Sequence, residues 1–248
     1  MSCSGHLREI FSSIQGEGLL VGCRQIFVRF LGCNLRCSFC DTPESQEMKG
    51  ECRVQETPDL FQFRTVENPL TVEDAVAFIR SLNLLDHHSV SMTGGEPLLQ
   101  SDYFKELAAR LKREGAAIYL ETNGTLPDKL PDCLDLIDII GMDWKLPSST
   151  GERGCPREHV QFLKQGAEKD LFVKIVVTDA TKPCELKEAC ARISEVRPGT
   201  PLIIQPVTEV ERARPPSAEF LLQLHSVAQR HLRHVRVIPQ MHRLMGQR

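Results

Sequence analysis

An α/β fold built from about six strand–helix units around a parallel sheet is predicted by three features of the sequence. Apolar runs of strand length alternate with stripes of helical period, several of those runs are apolar on both faces, and 248 residues suit one such domain. The predicted strands cover 25–31, 89–93, 116–121, 136–144, 171–178, 201–207 and 234–239. The run Phe172-Val173-Lys174-Ile175-Val176-Val177 is close to continuously apolar, the pattern of a strand covered on both sides. Between the strands, Val72, Ala75, Val76 and Ile79 share a helix face, with Thr71 placed as N-cap and Asp74 three residues on. Phe104, Leu107, Ala108 and Leu111 repeat the pattern, and Gly115 suits the residue past the helix end. Pro156 suits a helix start. Leu186, Ala189, Cys190 and Ile193 mark the next helix, and Leu221, Leu224 and Ala228 the last.

Such alternation implies right-handed crossovers, with sites collecting at the C-terminal ends of the strands. Two segments break the rhythm. Residues 41–70 show no sustained period and hold Cys52, Phe61 and Phe63, which reads as an inserted loop or small subdomain at about 43–70 of a single 1–248 domain. The tail 238–248 has no helix or strand pattern, yet carries Gln240, His242 and Arg243.

Thirty basic and 33 acidic residues give a net charge of −3, the opposite of what electrostatic nucleic-acid binders carry. No apolar run approaches the ~18 residues of a membrane span, and the polar start lacks the apolar core of a signal peptide. A cytoplasmic location is expected. Ten cysteines in such a setting stay reduced, so those that cluster are candidates for metal ligation or catalysis.

They cluster once. Cys33-Asn-Leu-Arg-Cys37-Ser-Phe-Cys40 follows directly on an apolar strand. Three thiolates at this spacing can converge on three irons of a cubane, leaving the fourth iron without a protein ligand. Zinc is the alternative. It wants four ligands, and Cys52 is the one plausible fourth. The other cysteines (Cys3, Cys23, Cys133, Cys155, Cys184, Cys190) read as structural or exposed thiols, Cys190 as core.

With Phe39 ahead of its last cysteine, this triplet resembles that of the radical S-adenosylmethionine (SAM) superfamily. There SAM chelates the open iron through its amino and carboxylate groups, and an electron from the cluster releases a 5′-deoxyadenosyl radical. Thr93-Gly94-Gly95-Glu96-Pro97, at a strand end, resembles the motif that receives the SAM amino group. Glycines let backbone approach a ligand, and a carboxylate can accept from an ammonium. A bulky residue at Gly95 is expected to weaken SAM binding while the chain stays folded.

Further stretches narrow the resemblance. Glu9-Ile-Phe-Ser-Ser-Ile-Gln15-Gly16-Glu17-Gly18 precedes Arg29, four residues before Cys33. Glu121-Thr122-Asn123-Gly124, Asp143-Trp144-Lys145, Gln205-Pro206-Val207-Thr208 and Gln240-Met241-His242-Arg243 follow. Together they resemble the 7-carboxy-7-deazaguanine synthase family of queuosine and other deazapurine biosynthesis, from about residue 8 onward.

That resemblance implies an incomplete (β/α)6-type radical SAM barrel with parallel strands, the cluster loop following the first strand. It implies a carbon–nitrogen lyase that converts 6-carboxy-5,6,7,8-tetrahydropterin to 7-carboxy-7-deazaguanine with loss of ammonia. Its cofactors would be a [4Fe–4S] cluster on Cys33, Cys37 and Cys40, SAM, and Mg²⁺ at Thr42. The implied SAM site comprises Phe39, Cys40, Asp41, Gly95, Glu96, Asp143, Trp144, Lys145, Gln205, Pro206, Val207 and Thr208. The implied substrate site comprises Ile14, Gln15, Gly16, Glu17, Arg29, Thr93, Glu121, His242 and Arg248, the last through a terminal carboxylate closing the pocket. Arg29 would offer a fork to the substrate carboxylate. A homodimer and an electron donor such as flavodoxin or ferredoxin are implied as well. The family's tail usually reads His-Lys where this chain has His242-Arg243. A glycyl-radical enzyme activase shares the cysteine triplet and Thr-Gly-Gly-Glu-Pro, and stands as the alternative enzyme. A non-catalytic iron–sulfur or zinc module is the alternative outside catalysis.

Overall fold

The computed structural model describes residues 3–247. A two-residue strand β1 (Ser4–Gly5) leads into β2 (Leu7–Ile14), which runs antiparallel to β3 (Arg24–Phe30). The hairpin β4 (Cys52–Thr57) and β5 (Leu60–Val66) follows, and β6 (Leu70–Thr71) returns to pair with β1. From there the strands are β7 (Ser89–Gly94), β8 (Ile118–Thr122), β9 (Ile139–Asp143), β10 (Asp170–Val177), β11 (Leu202–Pro206) and β12 (Val235–Val237). The helices are α1 (Val72–Ser81), α2 (Ser101–Arg113), α3 (Pro147–Thr150), α4 (Pro156–Gln165), α5 (Pro183–Val196), α6 (Ala218–Gln229) and α7 (Met241–Leu244).

Ten strands form one sheet in the order β12-β11-β10-β9-β8-β7-β3-β2-β4-β5. From β3 to β12 every neighbouring pair is parallel. Its two ends, β12 and β5, do not meet, so the barrel is open. The expected incomplete α/β barrel with parallel strands is therefore present, with the cysteine loop after the first of the parallel strands. One antiparallel strand, β2, stands ahead of it and escaped the sequence reading, because Arg8, Glu9, Ser12 and Ser13 interrupt its apolar residues. The aperiodic stretch 43–70 holds the β4–β5 hairpin, which widens the sheet beyond β2. Residue 136, read as the start of a strand, instead ends the 3₁₀ turn 134–136 ahead of β9, and the patternless tail contains the short helix α7.

Local chemistry accounts for the helix ends. Thr71 Oγ1 accepts from Asp74 N at 3.1 Å while Asp74 Oδ2 accepts from Thr71 N at 3.3 Å, a reciprocal cap on α1. Pro156 opens α4, and Gly115 follows α2 at φ +87°.

The sheet sorts its side chains by the period of two. Val28, Met92, Leu120, Met142, Ile175 and Ile204 point outward and are buried against Val76, Phe104, Leu107, Phe162, Ile193 and Leu224 of the helices. The residues between them point inward. Near the bottom Tyr119, Phe172 and Ile203 pack together, and higher up the inward positions turn polar. No helix among the described residues is long and apolar enough to cross a membrane.

Phe104 is fully buried between α2 and the sheet, 6.3 Å from the ring of Phe30. Phe104→Ala is expected to cost about 3–5 kcal/mol, read from the midpoint of urea unfolding. A loss below 1 kcal/mol would mean that this helix face does not anchor the sheet.

Candidate functional site

The polar, inward-pointing ends of the parallel strands open into a cavity of about 570 Å³. Arg29 of β3, Thr93 of β7, Glu121 of β8, Asp143 of β9, Lys174 of β10 and Gln205 of β11 all line it. Parallel pairing carries each of these positions to the same rim. Loops supply the rest of the wall: Gln15, Gly16 and Glu17, then Cys33, Leu35, Cys37 and Phe39 through Thr42, then Gly94 and Gly95, and from the tail Gln240 and His242.

Cys33, Cys37 and Cys40 are partly buried free thiols on one loop. Burial pushes Cys33 up and Cys37 up to about 11, so metal binding there displaces protons. Tetrahedral zinc at about 2.3 Å from each sulfur needs its ligands roughly 3.8 Å apart. Among the described residues, the one trio of ligand-bearing groups lying within 4.8 Å of one another is Glu17, Asp41 and His242. The wider-set cysteine sulfurs suit a cubane. Cys52, the candidate fourth zinc ligand, is buried in the main core on β4 and does not line the cavity.

The Gly94-Gly95 turn is required by packing. Gly94 adopts φ +120°, and a Cβ on Gly95 would meet Gly32 O at 2.0 Å and Ser45 O at 2.7 Å. The expectation that a bulky residue at Gly95 leaves the chain folded is thereby corrected, since it would force this turn off the cluster loop. Glu96, expected to face an ammonium, is fully buried and turned inward. It accepts from Thr122 Oγ1 at 2.9 and 3.0 Å, Asn123 N at 2.8 Å and Leu98 N at 3.1 Å. Its carboxylate ties the Gly-Gly turn to the loop after β8.

Among the described residues, two buried acceptors on the strand rim have no partner: Asp143 Oδ1 and Gln205 Oε1. Asp143 Oδ2 faces Lys145 at 2.9 Å and Lys174 at 3.3 Å. Against the cost of burial, these ammonium groups hold the Asp143 carboxyl below its ordinary value. Lys145 also lies 5.1 Å over the ring of Phe39. Burial works against the charge on Glu17 too, but Lys174 and the Gln240 amide hold its carboxyl down at about 2. Gln240 Nε2 donates to Glu17 Oε1 at 2.7 Å and to Asp41 Oδ2 at 2.8 Å, pinning the tail across two loops. Met241 N donates to Gly16 O at 2.9 Å, and a Cβ on Gly16 would strike His242 at 2.3 Å. Burial lowers the pKa of His242.

Gln15 is engaged on all sides. Its Nε2 donates to Gln25 Oε1 at 2.9 Å and Glu121 Oε1 at 3.0 Å, and its Oε1 accepts from Glu17 N at 3.0 Å. Ser91 Oγ also donates to Glu121 Oε1, at 2.6 Å, while burial raises the pKa of the Glu121 carboxyl. Arg29 sets its Nε 3.9 Å from Glu9 Oε2 and its guanidinium over the Phe11 ring. Thr42, Phe39, Asp41, Val207 and Thr208 line the cavity; Ile14, Trp144 and Pro206 do not. Trp144 instead stacks on His159 in the core, ring centroids 4.7 Å apart. Arg248 lies outside the described residues. Lys174, Glu9 and Asn123 stood in the quoted stretches but were assigned no place in the site, although a lysine inside an otherwise apolar strand was a signal.

The Radical SAM superfamily model matches residues 27–148. A 7-carboxy-7-deazaguanine synthase of Geobacter sulfurreducens is 41% identical, the match covering 97% of each chain. The Methanocaldococcus jannaschii protein of the same name is 33% identical over 97% of this chain and 99% of its own. The crystal structure of QueE from Escherichia coli shares the fold at 21% identity, with a TM-score of 0.62 over 96% of this chain and 95% of that one.

Burial pushes the Glu96 carboxyl up to about 7, against the pull of its donors. Between its ordinary value near 4.5 and 7, the folded chain holds a proton that the unfolded chain has released. This group therefore favours folding at low pH, and its contribution is lost as pH rises through 7. The stability advantage of the wild-type chain over Glu96→Gln is expected to shrink from pH 5 to pH 8 in urea unfolding. A constant advantage would show an ordinary carboxyl.

Proposed function

The chain belongs to the 7-carboxy-7-deazaguanine synthase family of radical SAM enzymes, and from that premise we propose that it converts 6-carboxy-5,6,7,8-tetrahydropterin to 7-carboxy-7-deazaguanine with loss of ammonia. One observation carries the reading: the cysteine triplet, the Gly-Gly turn, two partnerless buried acceptors and a fixed set of polar groups all face a single cavity. Cys33, Cys37 and Cys40 would hold three irons of the [4Fe–4S] cluster. Gly95, Asp143, Lys145, Gln205, Val207 and Thr208 would receive SAM, with Asp143 Oδ1 and Gln205 Oε1 as open acceptors for its donors. When bound, the cluster and SAM supply the hydrogen-atom abstraction that starts ring contraction.

The protein's own part is positioning. Glu121, held through Oε1 by Ser91 and Gln15, presents an acceptor to the amino and amide edge of the pterin. Arg29, steadied by Glu9 and Phe11, meets the substrate carboxylate. Thr93 and the His242 ring complete the wall. Thr42 and the adjoining Asp41 would face Mg²⁺, an ion that takes few protein oxygens and keeps substrate and water ligands. A small-molecule substrate and an external reductant are required by this chemistry; flavodoxin or ferredoxin as that donor, a homodimer and a single domain belong to the proposal. A glycyl-radical activase or a non-catalytic module is not favoured, because full-length relatives are named as synthases and the rim polar set serves neither.

Anaerobic reconstitution should load about four irons, and carboxy-tetrahydropterin with SAM and a reductant should yield the deazaguanine. Cys37→Ala should lose the cluster and SAM cleavage together; a full cluster with activity in that variant would overturn the ligand assignment. Arg29→Lys keeps the charge but loses the fork, so substrate binding should weaken by about 1–3 kcal/mol in KM. Slow uncoupled deoxyadenosine formation should persist in it. An unchanged KM would move the carboxylate site elsewhere.

A further inference from the structure

We propose that Asn123 is a positioning residue for the cluster ligand Cys33, its side-chain N–H directed at the sulfur so as to raise the reduction potential of the bound cluster. This rests on the cluster assignment above. Among the described residues, Cys33 is the one cysteine of the triplet whose sulfur has donors directed at it: Leu35 N at 3.5 Å and Asn123 Nδ2 at 4.0 Å. The longer contact is at the outer reach for a sulfur acceptor, and a thiolate is a stronger acceptor than the thiol.

The orientation of the amide is settled by its neighbours. Asn123 Oδ1 accepts from Thr125 N at 3.0 Å and Thr125 Oγ1 at 2.6 Å, so the amino group must point the other way. There Nδ2 donates to Asn34 Oδ1 at 2.9 Å, and its second hydrogen is left for Cys33. Asn34 Nδ2 in turn donates to Thr125 Oγ1 at 2.8 Å, closing the ring and fixing the Asn34 amide as well. The Asn123 backbone is held from both sides. Its N–H donates to Glu96 Oε2 at 2.8 Å, and its carbonyl accepts from His159 Nε2 at 3.0 Å, the ring itself stacked on Trp144. A side chain locked at this many points keeps its dipole aimed at one sulfur. A donor on a ligand sulfur withdraws electron density and stabilises the extra electron of the reduced cluster, as outer-shell groups do in metal sites generally.

The test is an EPR-monitored redox titration of reconstituted wild type, Asn123→Asp, Asn123→Ser and Asn34→Ala, without SAM. Asn123→Asp keeps the acceptor for Thr125 and replaces the donor with a carboxylate oxygen, so its midpoint should move to more negative potential. Asn123→Ser stops short of Cys33 and should move in the same direction, which covers the case of an Asp variant that fails to hold a cluster. Asn34→Ala removes the bond between the two loops but leaves the Asn123 donor, and should titrate at the wild-type midpoint. A wild-type midpoint in the Asn123 variants overturns the inference, as does an equal shift in Asn34→Ala, which would reveal loop tethering alone. Failure of the wild type to take up a four-iron cluster would instead overturn the assignment on which the inference stands.

Discussion

A single buried ammonium holds the mouth of the barrel together. Lys174 reaches from β10 to Glu17 on the loop after β2 and to Asp143 at the end of β9. Through Glu17 the link continues to Gln240 in the tail, and from Gln240 to Asp41 on the cluster loop. Five separate stretches of chain thus share one charge-compensated network. Burying these groups is tolerable only because each ion faces an opposite one, and removing a partner from such a set typically costs about 3–5 kcal/mol. The network fixes where the tail crosses the cavity and how near the cluster loop stands to the sheet.

A second buried carboxylate performs the same service without a cation. Glu96 gathers hydroxyl and backbone donors from Leu98, Thr122 and Asn123, joining the turn after β7 to the loop after β8. The residue following the paired glycines is therefore a structural clamp. The glycines themselves let the turn lie against Gly32 and Ser45 of the neighbouring loop. The surface this turn presents to the cavity is that of Gly94 and Gly95, with Glu96 beneath it as support.

Outside the mouth, the sheet separates two kinds of interior. Apolar side chains between sheet and helices provide the cohesion, while the inner face shifts from Tyr119, Phe172 and Ile203 to charged and amide groups within a few residues of each strand. That gradient places polar groups where open strand ends give them a ligand or water to meet. It also explains why the partnerless acceptors of Asp143 and Gln205 occur on the rim.

How much of this was legible beforehand follows from the range of each interaction. The cysteine triplet, the glycine pair, the Thr71 cap and the helix stripes are short-range patterns, and spacing along the chain suffices to read them. Strand β2 and the β4–β5 hairpin were missed because polar residues blur their alternation and their partners are distant in sequence. The same distance hid the roles of Lys174, which meets a carboxylate 157 positions away, of Asn123, 90 positions from Cys33, and of Glu96 as a clamp. The sequence by itself determined the fold class, the cluster loop and the strand ends where the site would form, because these depend on local periodicity and spacing. Only the tertiary structure decided which buried ion faces which, because a charge or amide in a strand can choose its partner only after the parallel strands have been brought to a common rim.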